Sequence, residues 1–366
     1  NYQQMGLRPD IRLFKLGVGF DIVILLDENG NIRDEDWDEA KDYIDKVYYV
    51  SWGVKGDPLY FKYGGLESTT LGYGSIINGY TNLLEYPTYK RQGLELSVDT
   101  TYAGMEVVVN NFKELGGKNP AVMGGGRMYV KPFSLLQIGG SIGGDLNEYK
   151  GLRDSDGDDY PDEIDLYPYD DRYVRDRDKV EDLIGVTATD TLVANGFIEP
   201  NSRDNYQAIP DKRSKTGFWS ADAGLSLINT QLFGLFIYTQ FSKCLNTGGW
   251  GYTAPGVRIT SGSLIEIYAD YRQQSDNYIF GYYNDTYDLE RAKYVNDGSA
   301  QLKIATKKDK LDSAVASKGY FAGIKINIFN IVTGKLEYQD MRWGEDWKEK
   351  DKSIKGELAL IRIFSR

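Results

Sequence analysis

A run of acidic residues near the middle of the chain has the spacing of a calcium-binding loop. In the twelve-residue window from Asp154 to Asp165, carboxylates stand at positions 1, 3, 5, 9 and 12. Calcium takes oxygen ligands, and loops of the EF type wrap them around the ion in this order, with the backbone carbonyl of position 7 as a further ligand. The window therefore predicts a Ca²⁺ site with these ligands: Asp154, Asp156, Asp158, the carbonyl of Tyr160, Asp162 and Asp165.

The window departs from the usual pattern at one position. Position 6, where such loops normally carry glycine, is Asp159, and Gly157 stands at position 4 instead. Aspartate tolerates a left-handed backbone better than most residues do, so we expect a strained loop that still binds the ion. The alternative is a solvated acidic loop that binds no metal.

Charge and composition exclude several classes of function. The net charge is −11, and the segment from Asp154 to Asp190 alone carries 14 Asp and Glu against 4 Lys and Arg, so the rest of the chain is close to neutral. Because there is no basic patch, we expect no nucleic-acid partner. The chain has no histidine, which removes Ser-His and Cys-His catalysis and histidine-based zinc sites. Its single cysteine, Cys244, excludes an intrachain disulfide.

Around the acidic segment, apolar and polar residues alternate with a period of two. The clearest case is residues 11–27, which we interpret as one strand whose apolar side carries Phe14, Leu16, Val18, Phe20, Ile22, Ile24 and Leu26. At about 3.3 Å per residue, such a strand exceeds the apolar thickness of a bilayer. No apolar run reaches the roughly 18 residues that a membrane-spanning helix needs.

The same alternation recurs along the chain with tight turns between strands, which predicts antiparallel hairpins. The polar sides of these strands carry charges of both signs, as at Glu266, Asp270, Arg272, Lys325, Lys335 and Glu337. Two segments differ from this pattern. Residues 34–46 have helical spacing and predict a short amphipathic helix within a loop, and the glycine-rich segment 64–82 is compatible with a loop folded into a lumen.

Two architectures fit this alternation. In a soluble sandwich, the apolar sides would fill a core and the charged sides would meet water. In a membrane barrel, the charged sides would line a wet lumen and the apolar sides would meet lipid. Three features favour the barrel: long strands in tight hairpin pairs, short connections that alternate with long polar ones, and tyrosines near the strand ends.

In these features the chain resembles Gram-negative outer-membrane β-barrel proteins. At roughly 20 residues per strand and connection, we expect an all-β fold, an antiparallel transmembrane β-barrel of about 14 strands with a range of about 12 to 16. The two parts of the barrel would be residues 1–145 and 216–366, separated by an acidic calcium-binding insertion at 146–215. The resemblance implies a lipid bilayer as partner and the bacterial outer membrane as location. The window Asp154–Asp165 separately resembles calcium-binding thrombospondin type 3 repeats, which also occur as linkers in some outer-membrane proteins.

The pattern favours a porin-like channel for small solutes, because the polar strand sides carry charges and the usual catalytic groups are lacking. The alternative is a structural or binding protein of the outer membrane that docks another surface protein or a surface polymer through its loops. A soluble secreted calcium-binding β-protein is a further alternative. We expect no enzyme, although Glu266 and Asp270 on one strand side have the composition of an acid–base pair.

Overall fold

Fifteen strands of this chain form one antiparallel sheet. The computed structural model describes residues 3–33, 37, 43, 46–115, 121–230, 232–262, 264–328, 332–344 and 347–360. Within these residues, the order of the strands in the large sheet follows their order along the chain. Sheets of this kind are built from successive hairpins, as the tight turns predicted.

The described strands are listed here in chain order: β1 (Gln3–Leu7), β2 (Asp10–Leu13), β3 (Leu16–Phe20), β4 (Ile22–Leu26), β5 (Val47–Trp52), β6 (Leu59–Gly64), β7 (Ile77–Asn78), β8 (Gly93–Asp99), β9 (Ala103–Val109), β10 (Met123–Phe133), β11 (Leu136–Asp145), β12 (Thr216–Asn229), β13 (Gly234–Cys244), β14 (Trp250–Ser261), β15 (Ile265–Gln274), β16 (Tyr283–Asn284), β17 (Ala292–Val295), β18 (Lys303–Thr306), β19 (Ser317–Ile328), β20 (Val332–Trp343) and β21 (Glu349–Leu360). Three pairs stand outside the large sheet: β1 with β4, β7 with β16 in parallel, and β17 with β18.

Helices are few and lie in the connections. They are α1 (Asp176–Ile184), α2 (Val186–Ala194), α3 (Tyr287–Glu290) and α4 (Asp309–Asp312), with 3-10 turns at Phe112–Leu115, Glu148–Gly151 and Arg203–Asn205. Among the described helices, none has the length and apolar content needed to cross a membrane.

The large sheet buries its charged side and exposes its apolar side. On β10, Met128 is 72 % exposed, whereas the adjacent Arg127 is buried. On β15, Asp270 and Arg272 are each 4 % exposed, whereas Ile267, nearer the start of the strand, is exposed. We call the side with the buried charges the covered face and the other side the open face. The open face includes Ile138, Ile142, Leu225, Leu227, Ile265, Ile326, Leu336 and Leu358.

Charges on the covered face are paired with one another, as buried charges must be. Asp270 accepts hydrogen bonds from Arg272 Nε at 2.7 Å and from Tyr238 Oη at 2.9 Å. Glu337 forms an ion pair with Lys335 at 2.8 Å and accepts a hydrogen bond from a tyrosine of β15. The charges of both signs that the sequence places on the polar strand sides therefore neutralise each other within the sheet.

Tyrosine rings on the covered face lie over glycines of the neighbouring strand. Tyr129 pairs in register with Gly104, and Tyr268 pairs with Gly323. A Cβ atom added to either glycine would overlap the opposite ring, so these positions need glycine. Twelve described tyrosines are buried. Tyrosine therefore also serves the interior, in addition to the strand ends that the sequence suggested.

Two segments of the connections cross the covered face. In the first, Gly72 N donates to Glu106 Oε2 of β9 at 2.9 Å, and Ser75 N donates to Gln240 Oε1 of β13 at 3.2 Å. Further along the same segment, Asn78 borders a cavity of about 200 Å³ together with residues of β20 and β21. Because one short segment reaches strands so far apart in the sheet, the sheet curves around it.

The second crossing segment pairs with the first. Ile77 of β7 is in register with Tyr283 of β16, and Tyr278 Oη donates to the carbonyl of Ser75 at 3.0 Å. We call residues 65–82 and 278–291 together the plug. The plug and the covered face share one buried apolar cluster, which consists of Leu66, Leu71, Ile76, Ile77, Tyr80, Val108, Met123, Phe218, Cys244, Tyr278, Tyr282, Tyr283, Tyr287 and Leu311. The glycine-rich segment 64–82 is thus folded inward.

Connections at one end of the large sheet are short, and the long ones are at the other end. At the short end, two to six residues separate successive strands, as at 14–15, 53–58, 100–102 and 134–135. The opposite end has the connections 21–46, 65–92, 110–122, 146–215, 245–249, 275–316 and 344–348. The acidic window and both plug segments therefore start from the same end of the sheet.

The structure corrects the prediction of a single strand at residues 11–27. β2 ends at Leu13 and β3 begins at Leu16, because the chain turns back at Phe14, which has a φ of 55° and is 98 % exposed. Arg12 breaks the alternation just before this turn and is the sequence signal for it. A second interruption occurs at Asp21, whose buried carboxylate binds Arg8 and Lys90 outside the strand pairing.

Two other predictions concern the elements. The large sheet has fifteen described strands, one more than the central prediction of about 14 and within the predicted range. The loop helix predicted at residues 34–46 falls mostly outside the described residues.

Candidate metal centre

The predicted calcium window lies in the long connection between β11 and β12. β11 ends at Asp145 and β12 begins at Thr216. Within the window, Asp162 N donates to the carbonyl of Arg153 at 2.7 Å, so the chain returns to the residue just before the window. This bond closes the window into a compact loop.

Backbone N–H groups hold the first three aspartates of the window. Asp154 accepts hydrogen bonds from the N–H groups of Gly157 and Asp159, at 2.7 and 3.1 Å. Asp156 and Asp158 each accept from the N–H group two residues further along, at 3.3 and 2.8 Å. These bonds orient the three side chains before any ion is bound.

Asp159, at position 6 in place of glycine, has the left-handed backbone that this position predicts. Asp159 has a φ of 71°, and Gly157 has a φ of 83°. Both residues lie in the left-handed region, which glycine adopts freely and aspartate adopts at a modest cost. The loop therefore turns where an EF-type loop turns, with aspartate in place of the usual glycine.

Three carboxylates of the window come together, and a fourth is buried at the end of the window. Asp154, Asp156 and Asp158 each offer an oxygen within 4.8 Å of the others. Asp165, from the end of the window, is 6 % exposed. In the described part of the chain, Oδ2 of Asp156 and Oδ2 of Asp165 are buried without a hydrogen-bond partner. Buried carboxylate oxygens without a partner are unfavourable, and a bound cation would remove that cost.

The pKa values of the window carboxyls reflect this crowding. Burial raises the pKa of Asp158 to about 6, and the charges of Asp156 and Asp165 add to the rise. Burial also raises the pKa of Asp154 and of Asp165 above their ordinary values, with the neighbouring carboxylates acting in the same direction. Arg203, at 3.1 Å from Asp158, compensates one of these charges. The cluster therefore holds more negative charge than its protein neighbours neutralise.

Asp162 and Asp165 lie outside the group of three that Asp154, Asp156 and Asp158 form. Asp162 forms an ion pair with Arg153 at 3.0 Å and accepts hydrogen bonds from N and Oγ of Ser155, both at 2.8 Å. Position 9 of an EF-type loop often acts through water, which is consistent with a carboxylate already occupied by the protein. Tyr160 donates its N–H to Asp158, and its carbonyl stays a predicted ligand.

The residues present fit a calcium ion. The donors are carboxylate oxygens, which suit Ca²⁺ rather than the transition metals that prefer nitrogen or sulfur. Asp154, Asp156, Asp158 and Asp165 would hold the ion, and the ion would supply the positive charge that the cluster lacks. The two buried oxygens without partners are the structural observation behind this fit.

A second charged feature, which the sequence did not indicate, joins the plug to the end of the sheet. The side chain of Arg291 is fully buried and contacts Asp145 through Nε at 2.6 Å and Glu114 through Nη1 at 2.7 Å. Tyr287 Oη also donates to Asp145, at 2.7 Å. These partners are more than a hundred positions apart along the chain, so no local sequence pattern could have revealed them.

A second buried arginine, Arg91, also contacts the second plug segment. Arg91 lies 3.6 Å from Asp288, which also accepts a hydrogen bond from Tyr80 Oη at 2.9 Å. Burial raises the pKa of Asp288 to about 6 against the lowering effect of the arginines. The second plug segment is thus held by buried opposite charges as well as by the apolar cluster, and Tyr80 links the first segment to Asp288.

The carboxylates considered for acid–base chemistry are each held by cations. Glu266 lies 2.9 Å from Arg258 and 3.6 Å from Lys325. Asp270 is bonded to Arg272. Each carboxylate therefore belongs to the paired charges of the covered face.

No protein-family model matches this chain, and no curated protein matches it. Among solved structures, the chain is similar to Wzi of Escherichia coli, an outer-membrane protein involved in group 1 capsule assembly and described as a carbohydrate-binding β-barrel. The two are 10 % identical with a TM-score of 0.34, over 96 % of this chain and 76 % of Wzi.

Two further solved structures are similar to the same extent. One is the outer-membrane channel DcaP of Acinetobacter baumannii, with 10 % identity and a TM-score of 0.32 over 97 % of this chain and 83 % of DcaP. The other is a loop-deletion mutant of OmpT, an outer-membrane protein of Vibrio cholerae, with 10 % identity and a TM-score of 0.31 over 92 % of this chain and 84 % of that protein.

Proposed function

We propose that this chain is an outer-membrane β-barrel protein whose open face meets lipid. The observation that carries this proposal is the reversed arrangement of the sheet, in which apolar side chains are exposed and paired charges are buried. In water such an arrangement would expose a continuous apolar surface, which soluble monomers avoid. In a bilayer it is the stable one, since lipid replaces water around the apolar side chains.

The amount of exposed surface supports the same proposal. The chain has an accessible surface of 20709 Å². A compact soluble monomer of this mass would expose about 15,000 Å². The excess is expected for a single curved sheet whose outer side has no second protein layer. With the short turns on the periplasmic side, as is usual for such barrels, the long connections and the acidic window would face the cell exterior.

The function that this geometry supports best is that of a closed binding protein of the cell surface. The plug shares a packed apolar cluster with the covered face, and this packing supports a plugged rather than an open lumen. A cavity of about 200 Å³ lies beside the plug and has room for one small solute. The exterior connections would then dock a partner protein or a surface polymer.

Conductance in planar bilayers tests the closure. We expect the intact protein to insert without steady conductance, and a variant with residues 65–82 replaced by a short Gly-Ser linker to conduct. Folding of the variant is checked by its resistance to unfolding in detergent. Steady conductance steps from the intact protein would contradict the closed state.

Docking is tested with the full chain as bait in detergent extracts of the outer membrane. We expect a partner that is retained in calcium and lost both with a chelator and with the variant Asp154→Asn/Asp156→Asn. If the partner is retained equally in chelator and by the variant, docking through the acidic connection is contradicted.

A porin-like channel is the second candidate function. It is favoured by the charges of both signs that line the covered face, such as Asp270, Arg272, Lys335 and Glu337. Conduction would require the plug to move away from these residues. The same conductance measurement separates the two candidates.

We also propose that the window binds Ca²⁺. The proposal is supported by the three converging carboxylates of Asp154, Asp156 and Asp158 and by the buried oxygens of Asp156 and Asp165. Calorimetric titration of the intact protein with Ca²⁺ is expected to show one site. No heat of binding at any calcium concentration would contradict it.

A further inference from the structure

We infer that Ca²⁺ bound at the window holds the plug closed, because residues 203–209 bond to the window on one side and to the connection that carries the plug on the other. We call residues 203–209 the strap. This inference rests on the calcium site proposed above and adds what binding of the ion does elsewhere in the molecule. It is built from three successive sets of contacts.

The first set joins the window to the strap. Arg203 Nη2 lies 3.1 Å from Asp158 Oδ2, and its guanidinium lies over the ring of Tyr160 at 5.2 Å. At the other end of the strap, Ile209 N donates to the carbonyl of Asp159 at 2.7 Å. Both ends of the strap are therefore attached to residues at positions 5 to 7 of the window, where the loop turns.

The second set joins the strap to the hairpin of β17 and β18. Gln207 N donates to the carbonyl of Leu302, and Leu302 N donates to the carbonyl of Asn205, both at 2.9 Å. The side-chain oxygen of Gln207 accepts from Ile304 N at 3.0 Å. Tyr294 Oη donates to the carbonyl of Gln207 at 2.6 Å. Backbone and side chain of the strap therefore both bond to this hairpin.

The third set joins the hairpin to the plug. β17 begins at Ala292, directly after Arg291, the last residue of the plug. Lys307 N, just beyond β18, donates to the carbonyl of Arg291 at 3.0 Å. The guanidinium of Arg291 makes the buried ion pairs with Asp145 and Glu114. A displacement of the hairpin therefore acts directly on the ion pairs that hold the plug.

Calcium would act on this series through the charge of the window. Without the ion, Asp154, Asp156 and Asp158 face one another near Arg203. The buried Oδ2 atoms of Asp156 and Asp165 have no partner among the described residues. Repulsion among these carboxylates favours an expanded window, which would pull Asp158 and Asp159 away from the strap. Binding of the ion removes the repulsion and fixes the attachment points. By linkage, a closed plug must then also strengthen calcium binding.

Hydrogen exchange of the intact protein in detergent micelles tests the inference. Exchange is followed in calcium and in chelator for the window, for plug residues 65–82 and 278–291, and for residues 323–328 of β19 as a reference. We expect exchange in the plug to slow by about tenfold in calcium, a typical strength of coupling between two sites. We expect no change in residues 323–328, which pair with β15 on one side and β20 on the other.

Two variants separate the ion from the connection. Asp154→Asn/Asp156→Asn should make the plug insensitive to calcium. Gln207→Ala/Tyr294→Phe should leave calcium binding at the window but reduce the effect on the plug, because two bonds between strap and hairpin are lost. Tyr169→Phe is the matched control, since this tyrosine is 82 % exposed in the same connection.

The outcomes are distinct. Slower exchange in the window without any change in the plug would overturn the inference and leave the calcium site intact. No calcium effect in either segment would overturn the calcium site and the inference together. Conductance of the intact protein would overturn the closed state alone, because the exchange measurement does not depend on it.

Discussion

The aspartates of the window differ in how far the protein already compensates their charge. Asp162 is occupied by Arg153 and Ser155, whereas Asp154 has only backbone N–H partners. We therefore expect Asp154→Asn to weaken calcium binding by about tenfold or more, since ligand charge sets the affinity of such loops. Asp162→Asn should weaken it less.

Calorimetric titration of both variants checks this order. Asp170→Asn is the control, because Asp170 lies outside the window and pairs with Arg172. Equal losses at Asp154 and Asp162 would show that position 9 binds the ion directly, in conflict with the arrangement described above.

Asp288 predicts a pH dependence of the plug. Its pKa is raised by burial to about 6 in the folded protein, above the ordinary value of 3.8. Between these two values, the folded state binds the proton and the unfolded state does not, so protonation stabilises the plug. Stability from this group is therefore complete below pH 3.8 and is lost as the pH rises through about 6.

Hydrogen exchange of residues 278–291, corrected for the intrinsic rate, checks this expectation. The protection of the plug should increase when the pH falls from about 7 to about 5. In Asp288→Asn, which cannot titrate, this part of the dependence should disappear. An identical pH profile in both proteins would assign the dependence to another group.

At the residue scale, the aspartate spacing of the window is local information that the sequence shows directly, whereas the buried ion pairs are not visible in it. The structure brings Asp154, Asp156 and Asp158 close to one another, and calcium binding itself stays a prediction. The backbone strain at Asp159 was predicted from its type and position. Arg291 could not have been selected from the sequence, because its carboxylate partners are distant in the chain and come together only when the sheet curves.

At the scale of elements, neighbouring strands are fitted to each other by tyrosine and glycine. Gly323 lies under the ring of Tyr268, and a Cβ atom there would overlap it. We expect Gly323→Ala to destabilise the protein by about 1–3 kcal/mol, the usual cost of overpacking. Gly334→Ala is the control, since its Cβ would lie at least 3.6 Å from other atoms.

Guanidinium unfolding in detergent micelles compares these two glycine variants. If Gly334→Ala and Gly323→Ala have equal effects, backbone entropy rather than the ring contact decides the result.

The pairing of plug and sheet predicts a second effect on stability. Arg291→Met leaves Asp145 and Glu114 buried without their cation, which typically costs about 3–5 kcal/mol. The loss should appear first as faster hydrogen exchange in the plug. Arg172→Met removes an exposed ion pair with Asp170 and should change nothing measurable. A plug that stays protected in Arg291→Met would mean that the apolar cluster alone holds it.

Strands and hairpins were predictable because each carries its own period-two alternation and turn. The turn at Phe14 was missed because apolar residues continue through it, and only Arg12 marks the change of side. The inward fold of residues 64–82 was compatible with its glycine content. The pairing of β7, within this segment, with β16 was not predictable. Each of these strands has only two residues, and the two lie far apart along the chain.

At the scale of the whole molecule, alternation alone left two architectures open. A sandwich and a barrel have the same strand pattern, and they differ in which side of each strand is buried. The structure decides this by burying Asp270 and Arg272 and exposing Ile267. The sequence could not decide it, because burial depends on which side of the sheet the plug packs against.

The direct test of the account is to ask which side of β15 meets lipid. Single cysteines at positions 265–270, in a Cys244→Ser background, are treated in liposomes with a membrane-soluble reagent and with a water-soluble one. The account predicts that positions 265, 267 and 269 react with the membrane-soluble reagent and are shielded from the water-soluble one. Reaction of these three positions with the water-soluble reagent would contradict it.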